Sequence, residues 1–586
     1  MRYQRTTGFW LTGVIAAVSL GLVALPSPNT AMADPSTTQT THVDCSSSAS
    51  GDGSIDHPVN GVDKLDKAFG PGKRVLFKRG TTCRGTVVVN ASGTNHARTL
   101  IGAYGQGKAP ILDAQGSATN QRSVIEVDDR SHITIQDLTV RNGWFSNISV
   151  EAHNGHVMEG ITVQRVAVEE NAWKGGPNKV TDNFWVMGVG GVIVMPCSAR
   201  SAIKDVVIDQ VEASRQHYAG VQVGYHQLHP WSDYEKGIKR DGYMVPTCFD
   251  QESKPYPHVS PVTGIQNAVI SNSSLHDNDA MGAGIFGATD VLLRNNDLYR
   301  NGSGIGNPGN TMNGTGAWWD TTRHVTAEWN NAWGNRVGYR GQDGTGLDAD
   351  RNTKNSIIQN NYLHDNGGYG ASVIAAYGDA SATIRHNLMV DNGTHDPDRS
   401  SDIMISSYSS PTEDGRSVTG QVSGLWIYGN TIHRDQGKGN APGIRLQSRY
   451  RPNTAISIVN NIVNRPGRGG IYSFQPTDAA EVDMVRGNLV STDGTFARTQ
   501  DVEGRPTFLS TARDNMNWPK GDSFRLAATS LGARNAVGYD NATLPGKAPT
   551  ARGATDLWGT TIPEKSGFAI GADVARPVPV IDLTQG

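Results

Sequence analysis

The chain has 586 residues, a formal net charge of −3 at pH 7 and only 18% charged residues. No basic stripe emerges along it, which excludes nucleic acid as a partner. The 69 glycines, with frequent Asn and few helix formers, predict an all-β, turn-rich protein rather than a helical one.

The first 33 residues have the pattern of a secretory signal peptide. Arg2 and Arg5 precede an apolar run from Phe9 to Leu25, and residues 31–33 (AMA) form a small-x-small cleavage site. The apolar run is shorter than the ~20 residues that a membrane span needs, and no basic stop-transfer cluster follows it. We therefore expect residues 1–33 to be removed and the mature chain to be secreted and extracellular, with no membrane partner.

The four cysteines form two pairs along the sequence, Cys45 with Cys83 and Cys197 with Cys248. In an exported chain they predict two disulfide bonds. Three connectivities are possible, and we favour the local one. A cysteine-only metal site is disfavoured because no two cysteines have close ligand spacing.

One pattern recurs along the chain: an alternating apolar strand, a polar corner with Asn, a second short strand and a turn. Clear copies are VLLRNNDLYRNG from 291, SIIQNNYLHDNG from 356 and ATIRHNLMVDNG from 382. The corner position is predicted at Asn296, Asn331, Asn361, Asn387, Asn430, Asn461 and Asn488. Period-2 alternation within a repeat of roughly 25 residues fits parallel strands stacked coil on coil, in which corner Asn side chains bond to one another. A β-sandwich or propeller with Asn-rich loops is the alternative.

These repeats, with the segments before and after them, resemble the secreted right-handed parallel β-helix proteins of the pectate-lyase-like superfamily. GKRVLFKRGTTCRG followed by IGAYGQGKAPILDA, from 72 to 114, is similar to their first coils, and GDSFRLAATS with FAIGADV is similar to a segment that returns along the outside. The resemblance implies opening coils and a cap at 34–125, a β-helix with a catalytic groove at 126–495 and a return segment at 496–586. It also implies action on a polysaccharide, although the fold hosts lyases, hydrolases, epimerases and phage spikes.

The repeat also predicts a site. Aligning the glycines of GAWWDT from 316 and GLDADR from 346 brings Asp320 beside Asp350, with Asp348 one pleat away. Carboxyl groups this close raise at least one pKa, as an acid–base pair for glycosidic cleavage requires. An exposed, structural aspartate pair is the alternative reading, and Asp343, just before the strand, fits a turn residue as well as a ligand. On the same outer face we predict sugar-binding side chains, namely Gln222, Phe286, Trp318, Trp319, Arg445 and Tyr472.

A long aromatic insertion follows the strand at 220, and we predict that it forms one wall of the groove. It carries Trp231, a further candidate for substrate binding, and Cys248. His226 and His229 have a spacing that could bind a metal, but no third ligand is evident, so we assign no metal site.

Three functions remain open from the sequence. The first is a glycoside hydrolase without a cofactor, in which Asp320, Asp348 and Asp350 supply acid and base that we do not assign individually. The second is a polysaccharide lyase, in which the carboxylates hold Ca²⁺ and Arg445 takes the proton. The third is a non-catalytic glycan-binding β-helix. We expect a monomer with a polysaccharide substrate, whose sugar the sequence does not name.

Overall fold

The computed structural model describes residues 39–173, 188–197, 200–224, 264–302, 314–338, 343–376, 378–395, 400–411, 417–435, 441–448, 453–464, 471–473, 482–491, 501–513, 518, 523–527, 529–530, 556–558 and 571–572. The predicted signal peptide, Trp231, His226, His229 and Cys248 lie outside these residues. Among the described residues, no helix is long and apolar enough to cross a membrane.

The described chain is almost entirely β-structure, with one short 3-10 helix at Val62–Lys64. The strands, numbered in chain order, are β1 (Thr40–Val43), β2 (Arg74–Lys78), β3 (Thr82–Arg84), β4 (Val87–Val89), β5 (Thr99–Tyr104), β6 (Ile111–Asp113), β7 (Ile125–Asp128), β8 (Ile133–Gln136), β9 (Thr139–Arg141), β10 (Ser146–Ala152), β11 (Val157–Val168), β12 (Gly190–Pro196), β13 (Ala202–Ser214), β14 (Ala219–Gly224), β15 (Ile265–Ser271), β16 (Ser274–His276), β17 (Met281–Phe286), β18 (Ala288–Arg294), β19 (Asp297–Tyr299), β20 (Thr315–Asp320), β21 (Arg323–Glu328), β22 (Asn331–Trp333), β23 (Thr345–Asp350), β24 (Ser356–Gln359), β25 (Tyr362–His364), β26 (Ala371–Ala375), β27 (Ala382–Arg385), β28 (Leu388–Val390), β29 (Ile403–Ser407), β30 (Ser409–Pro411), β31 (Ser417–Thr419), β32 (Ser423–Tyr428), β33 (Thr431–His433), β34 (Ile444–Ser448), β35 (Thr454–Val459), β36 (Ile462–Asn464), β37 (Ile471–Ser473), β38 (Val482–Arg486), β39 (Leu489–Val490) and β40 (Val502–Glu503).

Each coil passes through three faces. Face 1 is a 12-stranded sheet with the order β4-β7-β10-β12-β14-β17-β20-β23-β26-β29-β34-β37. A 26-stranded sheet supplies the other two faces: in one coil β18 lies on face 2 and β19 on face 3, and β20 returns to face 1. These strands pair in parallel from coil to coil, and β30–β31 is an antiparallel hairpin beside them. The predicted right-handed parallel β-helix is therefore confirmed, and the sandwich and propeller alternatives are excluded.

Alternate side chains of each strand point into the coils and form the core. On face 1 one inward column is fully buried and runs through Val221, Ala283, Ala317, Leu347, Ala371, Ile403 and Ile444. Burying a side chain such as Leu347 stabilises the fold by about 1.5–3 kcal/mol. Setting the first glycine of GIFGAT, Gly284, level with Gly316 and Gly346 predicts Ile285 in this column, but Ala283 occupies that level and Ile285 lies one pleat further along.

Glycines begin the face 1 strands because the coils approach one another closely there. A Cβ at Gly316 would lie 2.4 Å from the Gly346 carbonyl oxygen, and a Cβ at Gly346 would lie 2.6 Å from that of Gly370. Gly282, rather than Gly284, is the matching glycine of the preceding coil. Because these glycines occupy equivalent positions in neighbouring coils, aligning the sequence at Gly316 and Gly346 gives the correct strand register.

A ladder of Asn amides lines the corner between faces 2 and 3. Each Nδ2 donates to the Oδ1 of the next coil at 2.9–3.0 Å, along Asn296, Asn330, Asn361, Asn387, Asn430, Asn461, Asn488 and finally Asp501. The ladder confirms the predicted corner, except that Asn330 and not Asn331 is its member. A second ladder, which the sequence analysis missed, runs through Asn278, Asn301, Asn335, Asn366 and Asn392 to Asp402. Both satisfy corner backbone groups that would otherwise be orphaned.

Cys45 and Cys83 form the predicted disulfide bond, with their Cα atoms 5.3 Å apart. Cys197 is disulfide-bonded too. The described parts of the C-terminal segment pack on the outside of the coils, where Phe524 and Leu557 contact Tyr362, Leu388 and Val390.

Candidate active site

The three aspartates predicted as a site lie on the outer side of face 1. Asp320 is paired with Asp350 on the neighbouring strand, and Asp348 is paired with Trp318. Leu347 and Ala349, which alternate with the two aspartates of β23, belong to the core, so the carboxyl groups point away from it. The structure thus brings Asp320, Asp348 and Asp350 together, as the repeat predicted.

One guanidinium joins two of the carboxylates. Arg351 Nη1 lies 3.5 Å from Asp320 Oδ2, and Arg351 Nε lies 3.4 Å from Asp350 Oδ2. The Asp350 carboxylate also accepts a hydrogen bond from the Arg351 backbone N–H at 2.8 Å. The Thr321 hydroxyl donates to Asp320 at 2.7 Å, and the Ser372 hydroxyl donates to Asp348 Oδ1 at 2.5 Å. Every carboxyl group of the cluster therefore has a fixed partner.

The cluster is buried although it lies outside the core. Asp320, Asp348 and Asp350 are only 1%, 4% and 6% exposed. The predicted position on the outer face is found, but the burial of the carboxyl groups was not predicted. Arg351, which contacts Asp320 and Asp350, is hydrogen-bonded with Tyr408, and its guanidinium also stands 5.7 Å from the Trp318 ring centroid.

Burial changes the acidity of the two carboxyl groups on β23. Loss of hydration raises the pKa of Asp350 to about 7, with further increases from the charges of Asp320 and Asp343, while Arg351 opposes the rise. Loss of hydration also raises the pKa of Asp348 well above its usual range, and the charge on Asp350 adds to the effect. A buried carboxyl group that keeps its proton near neutral pH has the property that a general acid needs.

Several residues predicted to bind sugar lie elsewhere. The prediction for Trp319 is wrong: its side chain is fully buried in the core and donates to the Ser356 hydroxyl at 3.0 Å, because it has the opposite strand parity to Trp318. Phe286 is level with Asp320 rather than Trp318, is fully buried, and packs edge-on against the Trp318 ring at 4.9 Å. Trp318 is itself 8% exposed, so these rings form a packed layer rather than an open sugar platform.

Gln222 and Arg445 are also corrected. Gln222 is fully buried and donates to the Gly224 carbonyl at 2.9 Å, which is a structural role. Arg445 is 1% exposed and stands three strands from Asp348, or about 14 Å at the usual strand spacing. Tyr472 is level with Arg445 as predicted, and its side chain lies outside the described residues.

The sequence analysis missed the cationic and phenolic partners of the cluster. Arg351 directly follows Asp350, so the sequence DADR held a signal that was not used. Tyr408 comes from a coil nearly sixty residues later and gave no signal. Ser372 entered the alignment only weakly, yet it stands level with Asp348.

A second group of possible ligands lies further along face 1. Ligand atoms of Glu151, His153 and Cys197 are within 4.8 Å of one another. Because the Cys197 sulfur is in a disulfide bond, it offers no thiolate to a metal.

Comparisons with known proteins bear on the fold. A family model described as the right-handed beta helix region matches residues 262–432. A comparison with curated proteins finds no match. Among solved structures, the chain is similar to the GH136 lacto-N-biosidase from Eubacterium ramulus, with 16% identity, 72% of this chain and 68% of that chain covered, and a TM-score of 0.42.

Two further solved structures have comparable similarity. The PL6 family alginate lyase AlyGC is 14% identical over 79% of this chain and 56% of that chain, with a TM-score of 0.44. Pectate lyase Pel9A is 14% identical over 92% of this chain and 98% of that chain, with a TM-score of 0.36. These three similarities assign no activity to this chain. The stacked parallel strands and the family match over residues 262–432 show that the chain is a right-handed parallel β-helix protein, as its coil repeat predicted.

Proposed function

We propose that the protein is an exported glycoside hydrolase that cleaves a polysaccharide by acid–base chemistry at Asp320, Asp348 and Asp350. The observation that carries the proposal is the buried cluster of three neighbouring carboxyl groups, two of which pair with one guanidinium. Burial raises the pKa of Asp348 and of Asp350, so a carboxyl group of the cluster keeps its proton near neutral pH. Glycosidic cleavage uses two carboxyl groups whose environments give them different protonation states, one as the acid and the other as the base or nucleophile.

The contacts support distinct roles. Asp320, next to Arg351 and the Thr321 hydroxyl, acts as the base that activates water or as the nucleophile at the anomeric carbon. Asp350, whose pKa is about 7, donates the proton to the leaving glycosidic oxygen. Burial raises the pKa of Asp348, which limits the negative charge beside the proton donor.

The lyase alternative has less support. It needs Ca²⁺ on the carboxylates and a nearby basic residue, but Arg351 already pairs with Asp320 and Asp350, so a cation would have to displace it. Arg445, the base that the sequence suggested, is about three strand spacings from Asp348. We therefore derive no step through a metal.

Product chemistry tests the proposal. The purified protein is incubated with a panel of plant, algal, fungal and bacterial wall glycans, and new reducing ends and ultraviolet absorbance are both recorded. We expect reducing ends without absorbance, unchanged by a chelator, and lost in Asp350→Asn. Absorbing, chelator-sensitive product would establish a lyase instead, and glycan retention without any cleavage would establish a binding protein.

A further inference from the structure

At the corner between faces 2 and 3, one residue in each coil from β8 to β39 has a positive φ. In the other coils this residue is Asp137, Arg165, Gln210, Asn272, Asn295, Asn360, His386, Gly429, Asn460 or Gly487. In the coil of β21 and β22 it is Trp329, with φ of 57°. A bulky side chain in the left-handed region is a true outlier, and such strain persists mainly where a function holds it in place.

The Trp329 ring lines a pocket on the outside of the molecule. The Trp518 ring, from the C-terminal segment, lies beside it with centroids 6.1 Å apart and planes inclined by 33°. Both indoles are partly exposed. The pocket has a volume of about 220 Å³, and its other lining residues are Asn295, Asn296, Asp297 and Asn331.

The polar side of this pocket offers hydrogen-bonding groups to a ligand. The Asn331 amide donates to Asp297 Oδ1 at 3.2 Å, which orients the carboxylate. Asp297 and Asn295 are both exposed, so their remaining donor and acceptor capacity faces solvent. Paired indoles with adjacent carboxylate and amide groups match a ligand that is apolar on its ring face and hydroxylated at its edge.

We infer that this pocket is a second carbohydrate-binding site, which holds one neutral pyranose ring of a polysaccharide against Trp329 and Trp518. The C–H face of the sugar packs on the indoles, and its hydroxyl groups donate to Asp297. A uronate is disfavoured because its carboxylate would approach that of Asp297.

The pocket is remote from the acidic cluster. In each coil face 1 is followed by face 2 and then face 3, so the corner between faces 2 and 3 is the one that face 1 does not touch. The pocket lies at that corner, whereas Asp320 and Asp350 lie on face 1. The second site therefore binds glycan without contacting the reacting bond, and the inference stands whether or not the cluster is catalytic.

Fluorine NMR of the full chain labelled with 5-fluorotryptophan tests the inference. The chain has 12 Trp residues, and the signals of Trp329 and Trp518 are assigned by their loss in Trp329→Asn and Trp518→Leu. The probes are the neutral tetrasaccharides of glucose, xylose, mannose, galactose and N-acetylglucosamine, with tetragalacturonate as the charged comparison. We expect at least one neutral tetrasaccharide to shift both signals in a saturable way.

Trp329→Asn is also the decisive variant, since it restores the residue type that neighbouring coils carry and so preserves the corner. We expect it to weaken the titration seen at Trp518 by at least tenfold. Asp350→Asn should keep the titration, which separates this site from the proposed active site. The inference is overturned if no neutral tetrasaccharide shifts the two signals, if only the uronate does, or if Trp329→Asn binds as tightly as the wild type. Unchanged binding with lowered stability would mean that Trp329 only anchors the C-terminal segment.

Discussion

Replacing Asp350 by Asn should make the protein more stable at alkaline pH. The pKa of Asp350 is about 7 in the folded chain and 3.8 in the unfolded reference. The folded state therefore binds more protons between these values, so ionisation of Asp350 costs stability as the pH rises from 4 to 8. Linkage puts that cost at about 4 kcal/mol, which the uncharged amide of the variant avoids.

Urea unfolding at pH 4, 6 and 8 measures this effect. At pH 4 Asp350→Asn should be about as stable as the wild type, because the folded side chain is protonated, the unfolded one is only partly ionised, and the amide fits slightly less well. Between pH 4 and pH 8 the free energy of unfolding of the variant, relative to that of the wild type, should rise by about 4 kcal/mol. Asp66→Asn is the matched control, since its side chain is exposed, and its stability difference should vary far less with pH. A pH-independent difference for Asp350→Asn, or a change in the opposite direction, would refute the buried, proton-retaining carboxyl group.

Other consequences of the structure can be measured in the same way. Asn361→Ala removes donors and acceptors from four buried partners and should lower the free energy of unfolding by at least about 3 kcal/mol, measured by urea titration. Replacing Cys45 and Cys83 by Ser should cost about 4 kcal/mol, because the bond closes a loop with a sequence separation of 38 residues. The kcat/KM of the wild type should fall as the pH rises through about 7, where Asp350 loses its proton. In Arg351→Met the fall in kcat/KM should move to higher pH, because Arg351 lowers the pKa of Asp350. An unchanged pH profile would argue against the pairing of these two side chains.

Apart from Trp319, the period of the sequence predicted which side of its strand each candidate side chain occupies, but not always its level in the stack. Trp318 and Asp320 were aligned correctly with β23 because Gly316 and Gly346 mark a real close approach. The coil before them reads GAGIF, and its two glycines point to the same side of the strand, so alternation could not distinguish them. Phe286 was therefore aligned with Trp318, whereas it pairs with Asp320.

The ladder error has a similar cause. Three of the seven ladder asparagines, Asn296, Asn361 and Asn461, follow another Asn, with the first residue in the left-handed region and the second in the ladder. At 329–331 the chain reads WNN, so Trp329 takes the left-handed position and Asn330 enters the ladder. A pattern of residue types does not reveal that a tryptophan holds a position that Asn or Gly usually fills.

Burial of the site was beyond prediction from the sequence. Alternation correctly placed Asp348 and Asp350 on the outer side, and outer positions of a strand are usually solvated. The contacts of this site come from other coils, because Trp318 lies on the neighbouring strand β20 and Tyr408 follows β29, two strands beyond β23. Such contacts depend on the stacking of whole coils, which no local pattern encodes.

The most direct test of the account is the kcat/KM of Asp350→Asn on the glycan that the panel identifies, beside Asp290→Asn as a control. Loss of the proton donor should lower kcat/KM by about 10²–10⁴-fold, while the control keeps wild-type activity. An Asp350→Asn variant that retained kcat/KM within threefold of the wild type would contradict the assignment of the acidic cluster as the active site.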